Sequence, residues 1–272
     1  MKTSGALQIH LELCQRLGIK YVSPATSEPV SVPPAEDKLS AVVLEEPAAS
    51  AVSLSEPADA GESSASVPTV TANPKWLTAS PETIQAMELT AFYEDIHECQ
   101  KCHLGKTRNQ FVFGSGNPQA EIMLVGEAPG ADEDEQGLPF VGRAGQLLTK
   151  IIESTKTWKR SDVFICNVLK CRPPGNRTPE PEEMEQCLPY LAEQINIIKP
   201  KLILALGAVA AHALLKNKDA VGKLRNQWHD FQGILLMVTY HPAALLRTES
   251  YKKDVWEDMK IFTAKYKELT NR

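Results

Sequence analysis

Strand-like and helix-like segments alternate along the chain from residue 121 to residue 269. Short apolar runs predict strands at 121–125, 162–167, 201–206 and 234–239. Longer amphipathic runs predict helices at about 143–157, 181–198, 208–217 and 250–269. Strands that alternate with helices form right-handed βαβ units, whose parallel sheet is covered by helices on both faces. The fold class predicted is therefore α/β, a three-layer α/β/α sandwich with a central parallel sheet of about four strands.

The residues before this region have a different composition. The spacing of apolar residues in 5–19 predicts a short helix, which we place within an N-terminal segment 1–23. Residues 24–75 consist mostly of Pro, Ala, Ser, Glu and Val, and they cannot bury enough apolar surface to offset the entropy of ordering. We predict a disordered acidic linker there and a folded domain over 76–272. Ser80-Pro81 then predicts a helix start, with serine as N-cap and proline at the first helical position.

Charge is distributed unevenly along the chain. The whole chain carries −5, but residues 24–70 hold eight acidic residues and one lysine, so the remainder is at +2. The bases of that remainder cluster near predicted loops, at Lys101, Lys106 and Arg108, at Lys170, Arg172 and Arg177, at Lys216, Lys218, Lys223 and Arg225, and at Arg247, Lys252 and Lys253. Such clusters suit a nucleic-acid partner, although solvated surface bases are the alternative. With no run of about 18 apolar residues and no secretory signal, we expect a cytoplasmic protein without a membrane partner.

Three loops that carry polar residues each follow a separate predicted strand. They are Gly126–Gly130, Asn167–Cys171 and His241–Arg247. Because a parallel sheet places the carboxyl ends of its strands at one edge, we expect these loops to line one cleft with a carboxylate, an amide, an imidazole and several bases.

Six cysteines in a chain expected inside the cell indicate free thiols or metal ligands rather than disulfides. Cys99 and Cys102 form a Cys-x2-Cys pair, and Cys171 and Cys187 flank one loop, so the four could surround a metal. Cys166 lies within a predicted strand and is expected to pack in the core. Spacing alone leaves zinc, an iron–sulfur cluster, a redox dithiol and unrelated thiols open.

Four motifs carry a family resemblance: GEAPGADEDEQGLPFVGRAG, NVLKCRPPGNRTP followed by Cys187, LGAVAA and YHPAALLR. In this order they resemble the family 4 uracil-DNA glycosylases, the iron–sulfur-containing branch of the uracil-DNA glycosylase superfamily, over about residues 85–270. The resemblance implies a monofunctional glycosylase that excises uracil from single- or double-stranded DNA and leaves an abasic site for base excision repair. It also implies a [4Fe–4S] cluster held by Cys99, Cys102, Cys171 and Cys187.

The resemblance further implies roles for individual residues. Phe140 would stack on uracil, Asn167 would read its edge, and His241 would donate a hydrogen bond to O2 of the departing base. Glu127 and Glu133 would shape the pocket and its water. Gly126 and Ala128 belong to the same binding motif. Leu245 and Arg247 would contact DNA, as a minor-groove wedge and a phosphate ligand.

The sequence differs from the best-known glycosylase branch at one position that bears on the mechanism. Ala128 stands where the best-known glycosylase branch has a water-activating aspartate, so the identity of any general base is undetermined. The cleft motifs offer no lysine suited to a Schiff base, which disfavours lyase activity. Two rival functions stay open: a non-catalytic DNA-binding module, and a zinc-stabilised hydrolase of a small nucleotide. We expect a monomer, and we expect the N-terminal helix to bind a protein whose identity the sequence does not give.

Overall fold

A computed structural model of the chain describes residues 80–271. The predicted N-terminal helix, the predicted linker and the predicted domain start near Trp76 lie outside these residues. Within them a six-stranded sheet forms the middle layer, made of β1 Ser115–Gly116, β2 Ile122–Gly126, β3 Phe164–Asn167, β4 Leu202–Leu206, β5 Trp228–Phe231 and β6 Ile234–Thr239. The strand order is β1-β3-β2-β4-β6-β5.

Nine α-helices occur in the described part of the chain. They are α1 Pro81–Ile96, α2 Leu104–Thr107, α3 Ala131–Gln136, α4 Arg143–Ser154, α5 Pro181–Ile198, α6 Ala208–Leu215, α7 Val221–Leu224, α8 Pro242–Arg247 and α9 Tyr251–Thr270. Helix α1 begins as predicted, because Ser80 Oγ accepts a hydrogen bond from the backbone N–H of Thr83 and Pro81 occupies the first turn. No helix among these residues is both long and apolar enough to cross a membrane.

The sheet has a hydrophobic core on each face because its central strands are buried on both sides. Along β2, Met123 and Val125 pack into a core that includes Leu191 of α5, whereas Ile122 and Leu124 face the opposite core. That second core contains side chains of α4 and α9, including Leu148, Ile152, Met259 and Phe262. Burial of alternate residues on opposite faces is the pattern of a parallel sheet between two helical layers. The predicted three-layer sandwich is confirmed.

The two edge strands are the main difference from the predicted sheet. Strands β3, β2, β4 and β6 are mutually parallel, as predicted, but β1 and β5 add antiparallel edges. Strand β1 has only two residues, too few to show an alternation of polar and apolar side chains. Strand β5 joins β6 through Gln232 and Gly233, whose φ angles of 55° and 84° close a two-residue hairpin turn.

The strand order places a crevice at the carboxyl end of β2. The chain leaves β2 to form β3 on one side and later returns to form β4 on the other, which is where open α/β sheets bind ligands. In the register of β2 and β3, Gly126 lies opposite Asn167. The backbone N–H of Gly207, after β4, donates to the carbonyl of Thr239 at 2.8 Å, next to the loop of His241. The three predicted loops therefore meet at one edge.

Candidate active site

A cleft of about 600 Å³ opens at this edge of the sheet. Its walls come from the loops after β2, β3 and β6, and from the turn before α4. Glu127, Phe140, Asn167, His241 and Arg247 all line it. The convergence expected from the sequence is therefore present in the structure.

The floor of the cleft is closely packed at Gly126. A β-carbon at this position would collide with Asn167 Oδ1 and with the ring of Phe140, so only glycine lets these two groups approach the strand this closely. The Asn167 side chain is 1% exposed, and its Oδ1 has no hydrogen-bond partner among the described residues. An unpaired buried acceptor costs free energy unless a ligand donates to it. The cleft floor thus holds an unsatisfied acceptor that a ligand N–H group could satisfy.

His241 lines the same cleft, with its ring centroid 5.5 Å from that of Phe140. The N–H of Ala243 donates to His241 Nδ1 at 3.2 Å, which leaves the proton of the neutral ring on Nε2. Burial lowers the pKa of His241 to about 4, and the nearby Arg247 contributes to this lowering. Gly207, at φ 90°, permits this approach, because a β-carbon there would lie 2.9 Å from His241 Cβ. His241 therefore offers a neutral N–H donor to the cleft.

Glu127 and Glu133 of the first motif differ in the hydrogen bonds that they accept. Glu133 Oε1 accepts from the backbone N–H groups of Val141 and Gly142 at 2.9 and 3.0 Å, and its Oε2 accepts from Gly130 at 3.1 Å. Glu133 therefore holds the turn that presents Phe140. Glu127 is half-buried, burial raises the pKa of its carboxyl group, and no group in residues 80–271 donates a hydrogen bond to that carboxylate. Of the two, Glu127 is the carboxylate available to water.

The placement of the predicted wedge requires a correction. Leu245 is 3% exposed and packs in the core below α8, so it cannot insert between bases in this conformation. The next residue, Leu246, is 45% exposed and lines the cleft together with Arg247. Leu246 is therefore the apolar side chain at the mouth. Helix α8 is too short for its sequence to reveal which leucine faces the core.

Two arginines on the rim were not among the predicted site residues. Arg143, at the start of α4, and Arg177, in the loop before α5, both line the cleft. Arg177 donates to both carboxylate oxygens of the buried Glu183, at 2.9 and 2.6 Å, and this pairing lowers the pKa of Glu183. Glu183 also lies 3.0 Å from His103, the residue after Cys102. The clusters of bases in the sequence suggested Arg177, whereas Arg143 lies within the first motif, where the resemblance gave it no role.

The four cysteines proposed as ligands lie together beside the core, between α1, α5 and the loop that follows β3. Cys171 interacts electrostatically with Cys102 and Cys99, and Cys187 with Cys171 and Cys99. Burial raises the pKa of Cys171 to about 11 and that of Cys187 to about 12. These two thiols would therefore be protonated at neutral pH, and metal binding would have to release their protons.

Hydrogen-bond donors point at three of these sulfurs. Tyr190 Oη donates to Cys99 Sγ at 3.2 Å, Arg108 Nη1 to Cys171 Sγ at 3.3 Å, and the backbone N–H of Lys170 to Cys187 Sγ at 3.3 Å. Donors arranged in this way stabilise thiolate ligands. Cys166 is 0% exposed within β3 and packs in the core, as predicted.

In the part of the chain that the structure describes, no three His, Cys, Asp or Glu side chains are close enough together to hold one metal ion. The case for a shared metal group therefore rests on the family resemblance and on the electrostatic interactions among the four thiols.

Comparison with known proteins agrees with the motifs. The family model described as "Uracil DNA glycosylase superfamily" matches residues 113–260. A "Type-4 uracil-DNA glycosylase" from Pyrobaculum aerophilum is 46% identical over 65% of this chain and 93% of its own length. Proteins of the same description from Saccharolobus solfataricus and Thermotoga maritima are 44% and 43% identical, over 61% and 64% of this chain and 81% and 92% of their own lengths. The resemblance to family 4 is confirmed, and the chain belongs to the uracil-DNA glycosylase superfamily.

Proposed function

We propose that this chain excises uracil from DNA by hydrolysing the N-glycosidic bond of deoxyuridine, which leaves an abasic site for base excision repair. The observation that carries the proposal is the buried Asn167 Oδ1, which has no hydrogen-bond partner among residues 80–271 and lies at the cleft floor beside Gly126 and Phe140. Uracil presents an N–H group between two carbonyl groups on a flat ring. The Asn167 amide can accept from N3–H and donate to O4, while Phe140 packs against the ring.

The bond would break with charge moving onto the base. Uracilate spreads its negative charge over O2, N1 and O4, so the sugar can leave as an oxocarbenium-like species before water attacks. His241, neutral and carrying its proton on Nε2, would donate to O2 as that charge develops. Glu127 would orient the attacking water, and Glu133 would hold the Phe140 turn. In this mechanism the protein lowers the barrier mainly by stabilising the negative charge on the departing uracil.

DNA would reach the cleft through its mouth at α8. A flipped nucleotide leaves a gap in the base stack, and the exposed Leu246 is placed to fill it in the wedge role first assigned to Leu245. Arg143, Arg177 and Arg247 surround the mouth and would contact the phosphates on either side. The basic rim explains how a chain with a net charge of −5 could bind DNA.

A single experiment tests this function and its rivals. The full chain is incubated with a duplex that contains one uracil, with the same duplex containing thymine, and with free deoxyuridine, and the oligonucleotides are then treated with alkali. We expect strand scission at uracil only and no release of base from free deoxyuridine. Turnover of deoxyuridine would support a nucleotide hydrolase, and binding without scission would support a non-catalytic module.

We also propose that Cys99, Cys102, Cys171 and Cys187 hold a [4Fe–4S] cluster. When bound, this group would supply structural cross-links among the loops, since hydrolysis of a glycosidic bond transfers no electrons. The purified protein is expected to be brown and to contain about four iron atoms and four sulfides per chain. Iron and sulfide analysis beside the visible spectrum checks this, with Cys166→Ala as the control that should keep the cluster. A colourless protein with one zinc per chain would contradict the assignment.

The state of His241 gives a prediction that depends on pH. Because the pKa of His241 is lowered to about 4, we expect its ring to stay neutral from pH 8 down to about pH 5. The unfolded chain takes up this proton near pH 6.5, so His241 should reduce the stability of the fold as the pH falls from 6.5 towards 4. NMR titration of the ring, with the resonance assigned by comparison with His241→Gln, measures the pKa directly. A midpoint between pH 6 and pH 7 would contradict a neutral donor in a dry pocket.

A further inference from the structure

Lys170 is fully buried although the sequence placed it among the surface bases. Its side chain is 0% exposed, and Nζ donates to the backbone carbonyl of Asn167 at 2.7 Å and to Gln194 Oε1 at 2.6 Å. Gln194 in turn donates to the carbonyl of Phe113 at 2.9 Å. All of these acceptors are neutral. No Asp or Glu in residues 80–271 forms an ion pair with Lys170.

A buried ammonium group requires negative charge nearby, because neutral acceptors do not replace the solvation lost on leaving water. Burial lowers the pKa of Lys170, and the groups that oppose this lowering are the cysteines Cys166, Cys187 and Cys171. Two of these belong to the proposed ligand set, and the backbone N–H of Lys170 already donates to Cys187 Sγ. Four thiolates outweigh the positive charge of a [4Fe–4S]²⁺ core, so the ligated cluster would be anionic.

We propose that Lys170 is the internal counter-cation of the cluster, and that its ammonium group joins the cluster to the backbone of Asn167. This inference rests on the proposed cofactor. The cluster would supply the charge that makes a buried lysine tolerable, and Lys170 would stabilise the anionic cluster in return. The same ammonium group fixes the peptide that carries the uracil-reading amide. Lys170 is thus a positioning residue that does not contact the substrate.

Three variants separate the charge of Lys170 from its hydrogen bonds. Lys170→Gln keeps a donor but removes the charge, Lys170→Met removes both, and Gln194→Leu removes one acceptor but keeps the charge. The full-length holoproteins are compared by iron and sulfide content, by the midpoint potential of the cluster from an EPR-monitored reductive titration, and by circular dichroism. Uracil excision is measured beside these, with separate kcat and KM.

We expect both neutral variants to lose iron more readily than the wild-type protein and Gln194→Leu. Where the cluster is retained, its midpoint potential should be lower, because a lost positive charge makes the addition of an electron less favourable. Gln194→Leu should stay close to the wild-type potential. A folded Lys170→Gln protein with no iron after anaerobic reconstitution would also support the proposal.

Two results would overturn it. One is a Lys170→Gln protein with wild-type iron content and an unchanged midpoint potential. The other is failure of both neutral variants to fold under conditions in which the wild-type chain stripped of iron stays folded, since Lys170 would then serve the fold alone. Absence of iron from the wild-type protein is a separate outcome, because it removes the cofactor proposal itself.

Discussion

Replacing His241 by alanine is expected to lower the single-turnover rate of uracil excision by about 10²–10³, the cost of removing one preorganised donor to a developing anion. The donor is already fixed in the free protein, because the N–H of Ala243 occupies Nδ1 and burial keeps the ring neutral. Little reorganisation is then needed when charge reaches O2 of uracil. Binding of the uracil-containing duplex should change far less than the rate.

The control for this substitution is a histidine outside the cleft. His212 lies on α6, and its Nε2 lies 2.9 Å from the carbonyl of Asp219. His212→Ala should keep a rate close to that of the wild-type protein on the same duplex. If His241→Ala were no slower than His212→Ala at saturating enzyme, His241 would not stabilise the leaving base.

Replacing Asn167 by alanine is expected to lower the rate of uracil excision without lowering the thermal stability of the protein. The rate should fall by about 10²–10³, because the amide both recognises uracil and donates to the charge that develops on O4. The thermal midpoint should be equal to or higher than that of the wild-type protein, because the substitution removes an acceptor that is buried without a partner among the described residues. Single-turnover kinetics and thermal unfolding of the same preparation measure both effects.

A substitution that shortens a core side chain is the matched comparison, because it should lower the thermal stability of the protein rather than the rate of uracil excision. Val238 on β6 is fully buried, so Val238→Ala should lower the thermal midpoint through lost packing while leaving the cleft side chains in place. If Asn167→Ala instead lost as much stability as Val238→Ala, the Asn167 side chain would serve packing. A wild-type rate in Asn167→Ala would remove it from uracil recognition.

The central strands and the loops after them were predictable from the sequence because each is a local pattern. Four apolar runs and the polar residues that follow them suffice to place Gly126, Asn167 and His241 at one edge of a parallel sheet. The edge strands were not predictable in the same way. Strand β1 is too short to have a period, and β5 alternates weakly, so its only signal is the hairpin turn before β6.

The errors in the site come from side-chain direction, which depends on tertiary packing. Successive residues on a helix point about 100° apart, so an assignment that is wrong by one residue exchanges the buried Leu245 for the exposed Leu246. Lys170 was grouped with surface bases because lysine is rarely buried. Its burial follows from the packing of the segment after β3 against α5, which brings Lys170 Nζ to Gln194.

The central claim is that stabilisation of the departing uracil, rather than activation of water by a carboxylate, dominates the rate. It is tested most directly by comparing single-turnover rates of His241→Ala and Glu127→Gln on one uracil-containing duplex, with binding of that duplex measured for both. We expect Glu127→Gln to be clearly the less impaired variant, since Glu127 is assigned only the orientation of water. If Glu127→Gln were the more impaired while binding the duplex normally, Glu127 would be the general base, and stabilisation of the leaving uracil would not be the dominant contribution to the rate.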